Sequence, residues 1–220
     1  MGTNRLIDAL VADLDPVTPL PLPWLRLTIW LAIALPAVVL VAAAMGLRTD
    51  LAMKFADPMF AAQEITMIAT AVIGGWAALS VGIPGARRWV FWVPAAPFLA
   101  WLSTLGYQWW QEWIHGGLSG MEFGLSLHCP RGIAMAGIVP IIAMMAMVRK
   151  GARFNVSASV FWGTLASAAL GNAGLRLFCP LDAVLIVIVW QFGTVLAFTA
   201  AAMLVKERLV PIRQAIQVNA

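Results

Sequence analysis

Charge is scarce in this chain. Asp, Glu, Lys and Arg make up 11% of its 220 residues against 62% hydrophobic, and the mean hydropathy is +0.88. An ordinary globular domain is about a quarter charged, so a water-soluble fold with a polar surface is excluded. Long polar stretches are also missing. The longest stretches outside the apolar runs are the first 26 residues, a loop near 107–130 and a tail from 206 to 220. That leaves no room for a soluble catalytic domain, and no enzymatic activity is expected.

Cysteine and histidine are down to two each, and no Cys-x-x-Cys pair occurs. A membrane thiol-disulfide oxidoreductase normally carries such a pair, so that class is disfavoured. A small transporter needs ionisable groups at mid-membrane, whereas Glu64, the nearest candidate, sits towards one end of its apolar run.

What the chain does have is a series of apolar runs. A bilayer core of about 30 Å needs about 20 apolar residues per helix. The sequence predicts six spans, at 27–46, 60–82, 89–106, 131–148, 156–176 and 183–205, the fifth diluted by Asn155, Ser157, Ser159, Thr164, Ser167 and Asn172. The expected fold is all-α: a polytopic membrane protein built as a bundle of six transmembrane helices. In that reading residues 1–15 form a cytoplasmic arm, 16–26 a proline-rich linker, 27–205 the bundle and 206–220 a tail.

Lys and Arg fall unevenly between the two ends of such a bundle. With the N-terminus inside, the cytoplasmic segments hold Arg5, Arg26, Arg87, Arg88, Arg149, Lys150, Arg153, Lys206, Arg208 and Arg213, and the outer ones hold Arg48, Lys54, Arg131 and Arg176. The positive-inside rule therefore places both termini in the cytoplasm. The net charge of +4 reads as loops that hold an anionic inner leaflet, with no direct nucleic-acid contact.

In this topology the two thiols fall on the outer side, in the related stretches LHCPRG (127–132) and LFCPLD (177–182). Proline is favoured at the first helical position. Cys129 and Cys179, each just before a proline, are thus expected at the N-caps of spans four and six. The positive end of a helix dipole favours a thiolate there. His128, Arg131, Arg176 and Asp182 are the supporting polar groups nearby. The sequence allows a redox-active pair, a permanent disulfide, or a metal site completed by His128 with or without His115; no resident metal or other cofactor is expected.

At the N-terminus, Leu6, Ile7, Leu10, Val11 and Leu14 form one stripe of a short helix, with Asp8, Asp13 and Asp15 off it and Pro16 ending it. Helices that lie on membranes usually offer Lys and Arg on the polar face. This acidic one points instead to a protein partner. The linker PVTPLPLP (16–23) would hold it about 25 Å from the membrane in polyproline form.

Two further patterns concern packing. Gly163, Ser167 and Gly171, like Ala71 and Gly75, recur every four residues and permit close helix approach. In GYQWWQEWIHGG, Trp109, Trp110, Trp113 and Ile114 share one helical face and Gln108, Gln111, Glu112 and His115 another. A separate short helix lying in the membrane interface is expected there.

The order and spacing of LIDALVADLDPV, LRTDL after span one, ADP before span two, VGIPGARRW before span three, RKGA after span four and both cysteines resemble the negative regulator of sigma F (NrsF) family. The resemblance implies a six-span inner-membrane anti-sigma factor that holds an extracytoplasmic-function sigma factor at the membrane, as part of a stress response. It assigns sigma binding to Leu6, Ile7, Asp8, Leu10, Val11, Asp13 and Leu14, and control by oxidation or metal to Cys129 and Cys179. The family more often has histidine before the second cysteine. Here Phe178 stands there and the histidine is at 128, which weakens a His-Cys metal site and leaves the thiols. The oligomeric state is open.

Overall fold

The computed structural model describes residues 3, 11, 19–116, 128–151, 154–180 and 187–209, and among these every regular element is a helix. Local chemistry sets most of the helix ends. The first long helix, α1 (Pro23–Met45), opens with proline near its first position and is closed by Gly46, whose φ of 85° is the left-handed backbone that glycine adopts without strain. A short helix, α2 (Leu51–Ala56), leads to Asp57, whose carboxylate accepts from the Met59 N–H at 3.0 Å and caps α3 (Pro58–Ser80). Then come α4 (Trp89–Trp92), α5 (Ala95–Gly116), α6 (His128–Gly151) and α7 (Val156–Arg176), which Asn155 caps through the Ala158 N–H. A π-helical turn, Val187–Phe192, continues into α8 (Gly193–Leu204), and α9 (Lys206–Leu209) follows.

Five helical segments are long and apolar enough to cross a membrane: Pro23–Met45, Pro58–Ser80, Trp89–His115, Arg131–Gly151 and Val187–Leu204. The diluted fifth run, α7, is not among them, and the packing gives the reason. All of its 21 residues except Val156, Ser157 and Phe161 are buried, with α3, α6 and α8 against it. A helix that meets protein on every side has no need of a lipid-compatible surface, so its Ser, Thr and Asn can stay.

The expected third span is corrected. α5 does not stop near residue 106 with a separate interfacial helix after it; it runs unbroken to Gly116. Pro97 falls in its first turn, where proline is tolerated. Beyond Gly106 the turns are tied by Gln108 Nε2 to Glu112 Oε1 (2.9 Å), Gln111 Nε2 to the Tyr107 hydroxyl (2.8 Å) and His115 Nδ1 with the Gln111 carbonyl (2.8 Å). The polar face expected of an interfacial helix exists, on the far end of a long one.

Small residues bring the helices together as the four-residue spacing implied. A Cβ on Gly171 would lie 3.0 Å from the Gly137 backbone and 3.1 Å from the Ile133 carbonyl, so α6 and α7 meet backbone to backbone. Gly75 makes room for Leu27, Trp30 and Met144, and Gly163 for Met144 and Met145. Because backbone cannot swing aside, Gly171→Val is expected to destabilise the bundle by about 2 kcal/mol through overpacking. Gly106→Ala, in a helix and with no atom within 4 Å, should not destabilise it. Thermal unfolding midpoints of the two variants in one detergent check this.

Candidate functional site

The consecutive helices alternate in direction, so the starts of α3, α6 and the turn after α7 lie at one end of the bundle with the end of α1. Four polar side chains are buried there. On α3, Phe60, Gln63, Glu64 and Met67 fall at i, i+3, i+4 and i+7, one face turned inward, and each is 3% exposed or less. Arg176, at the end of α7, meets that face. Its Nε lies 3.1 Å from Glu64 Oε1, its Nη1 donates to Gln63 Oε1 at 2.5 Å, and its guanidinium sits 4.3 Å over the Phe60 ring. Gln63 Nε2 then donates to Gln108 Oε1 at 2.8 Å, and Gln108 passes the chain on to Glu112. The two amides point the same way, so a directed run of hydrogen bonds joins a buried cation to a carboxylate on α5.

A second arginine ties in the cysteine turn. Just past Gly46, Arg48 donates its backbone N–H to the Leu177 carbonyl at 3.1 Å and its Nη1 to the Cys179 carbonyl at 3.3 Å. Its Nε and Nη2 grip both oxygens of Asp50, at 2.7 and 2.8 Å. That bidentate grip holds the Asp50 carboxyl below the usual carboxylate range, so it stays an anion at neutral pH. Lys54, Asp57, Phe60, Tyr107, Gln111 and Arg176 border a cavity of about 250 Å³ beside this network.

The N-cap expectation is corrected for Cys129; for Cys179 it concerns a helix start that lies outside the described residues. Cys129 lies inside α6, which already includes His128. Cys179 lies in the turn that closes α7, its N–H donating to the Leu175 carbonyl at 2.8 Å. It therefore sits at the carbonyl end of α7. Cys179 is buried, 7% exposed, in a cluster with Ile133 and Leu175. Ile133 is one turn along α6 from position 129. Gly132 lets α6 come this close, since a Cβ there would collide with Leu175.

Of the expected supporting residues, Arg131 is exposed and Arg176 is turned into the Glu64 network. Asp182 and the side chains of His128 and Cys129 lie outside the described residues, as do Leu6, Ile7, Asp8, Leu10, Asp13 and Leu14. Val11 is described: it is helical and 60% exposed, an apolar side chain that the bundle leaves uncovered. Among the described residues no three His, Cys, Asp or Glu side chains are grouped to hold a metal ion.

Gln63, Gln108, Arg48 and Asp50 were not foreseen as a site. A Gln-Glu pair at one end of an apolar helix, with an unmatched Arg in another, was the available signal, because a buried ion requires a partner.

An all-helical bundle that has, among the described residues, five segments fit to cross a bilayer and keeps its buried charges near the helix ends is a membrane-type protein. A model of the family "Negative regulator of sigma F" (NrsF) matches residues 10–211, which is most of the chain, and the chain belongs to that family. Membership makes it a negative regulator of a sigma factor, an anti-sigma factor. Comparison with curated proteins gave no match, and neither did comparison with solved structures.

Proposed function

We propose that this chain is an inner-membrane anti-sigma factor of six spans, with α7 as the extra one and both termini in the cytoplasm. Its N-terminal segment captures an extracytoplasmic-function sigma factor by binding alone, without turnover, and Cys129 and Cys179 on the periplasmic side control release. The observation that carries the regulatory part is the family match from residue 10 to residue 211, which takes in the bundle and the last third of the arm.

Other features support the finer parts. At 1.5 Å per residue α7 is about 31 Å long, enough to span, and its burial accounts for its polarity. Arg87, Arg88, Arg149, Lys150 and Arg208 are exposed at the end assigned to the cytoplasm, while Arg48 and Arg176 at the other are buried and ion-paired. Thiol control is supported by the packing of Ile133, one turn along α6 from position 129, in one cluster with Cys179. Joining or separating the two sulfurs would alter how the start of α6 seats on the turn after α7.

The test is capture of the cognate sigma factor by the full chain in membranes, with thiols reduced and then oxidised. Capture should differ about tenfold between the two states, a difference of about 1.4 kcal/mol. Cys129→Ser and Cys179→Ser should each abolish the difference. Equal capture in both states would end thiol control and leave the anti-sigma activity; no capture in either would end the proposal.

A further inference from the structure

At the opposite end of the bundle a third arginine is buried. Arg26 lies in the first turn of α1, directly after the proline-rich linker, and is 5% exposed. Its Nη1 donates to the Leu79 carbonyl at 3.3 Å and its Nη2 to the Met147 carbonyl at 2.6 Å. Leu79 is in the last turn of α3 and Met147 near the end of α6. One planar guanidinium thus bridges the carbonyl ends of two helices, where unpaired oxygens and the negative end of the dipole favour a cation. Gly151 completes the fit, because a Cβ there would lie 2.8 and 2.9 Å from the two guanidinium nitrogens.

One turn further along α1, on the same face, Trp30 Nε1 donates to the Pro140 carbonyl at 2.9 Å, and the side chain is fully buried. α1 therefore holds α6 at two levels by directional bonds to its backbone. Inside a bilayer, apolar packing hardly distinguishes a neighbouring helix from lipid. These bonds fix where α1 sits along α6, and with it where the arm leaves the bundle.

We propose that Arg26 is a positioning residue: by holding the ends of α3 and α6 together it sets where the N-terminal arm leaves the bundle. The other end of α6 carries Cys129, so one continuous helix joins the thiol end to the clasp. The functional meaning of the clasp rests on the anti-sigma reading; its existence does not.

The test uses the full chain in lipid nanodiscs with both cysteines replaced by serine. Spin labels are placed at the exposed positions 20 and 154, one before α1 and one after α6. Arg26→Gln should widen the distance distribution about twofold, as a semi-rigid linker does when its anchor is freed. Arg26→Lys should recover part of the loss. Gly151→Ala presses on the guanidinium without removing it and keeps a good helix former in α6, so it should widen the distribution too even if Arg26→Gln folds poorly. An unchanged distribution in Arg26→Gln and in Gly151→Ala overturns the clasp. Widening together with no sigma capture by the unaltered chain would sustain the clasp and end the anti-sigma reading.

Discussion

Replacing Arg176 by leucine should lower the stability of the folded chain by roughly 3–5 kcal/mol, and replacing Glu64 by leucine as well should cost less than the single change. Arg176 and Glu64 are both about 4% exposed at the side chain and 3.1 Å apart. Removing the cation leaves a carboxylate surrounded by protein, takes the donor from Gln63 Oε1 and strips the cation from the Phe60 ring. Each loss is individually moderate, of order 1–3 kcal/mol for an orphaned buried polar group. Removing both ions deletes the attraction and the desolvation together, which is why buried pairs can often be exchanged for apolar groups at little cost. Denaturation of the four members of this cycle in a single detergent gives the coupling directly. A double variant as damaged as the sum of the two singles would mean that the side chains act independently and that the network does not hold the end of the bundle.

The network also explains why the thiol turn is where it is. Arg176 is three residues before Cys179, and Arg48 holds the carbonyls of the turn itself. The turn is thus fixed from α3 through Arg176 and from the end of α1 through Arg48. Any change at Cys179 acts against these bonds.

Helix positions were legible in the sequence because bilayer thickness fixes their length and apolar runs mark them; α1, α3, α6 and α7 lie within a few residues of the expected ranges. The extent of α5 was not, since the switch from lipid-facing to polar residues at Tyr107 reads the same for one long helix emerging from a membrane as for a second helix lying on it. Nor was the role of Arg176. Sequence spacing places it near Cys179, and three-dimensional packing turns its side chain the other way, towards a carboxylate more than a hundred positions earlier. The N-cap assignment failed at Cys129 for a local reason: Cys-Pro marks a helix start only when the preceding residue is not already helical, and His128 is helical. The small-residue faces were legible because only glycine allows backbones to touch at Gly171 and Gly137.

Replacing Leu6, Leu10 and Leu14 together by alanine should weaken capture of the sigma factor at least about a hundredfold while leaving the bundle as stable as before. The expectation follows from a stripe that the sequence spaces at i, i+4 and i+8 and from Val11, which is helical and 60% exposed, so that nothing in the bundle covers it. Truncating a leucine anchor in an interface removes about three buried methylene equivalents at about 0.8 kcal/mol each. Even half of that, over three positions, exceeds the 2.7 kcal/mol that a hundredfold represents. Neutralising Asp8 and Asp13 as asparagines should act differently, slowing association several-fold and flattening its dependence on salt, because rim charges steer an encounter more than they hold a complex. Surface binding kinetics of the two variants at low and high salt separate the contributions. If the leucine variant binds as the unaltered chain does and the asparagine variant does not, the arm acts as an acidic lure and not as an apolar helix seated in a groove. The apolar stripe would then have to be assigned to packing against the bundle.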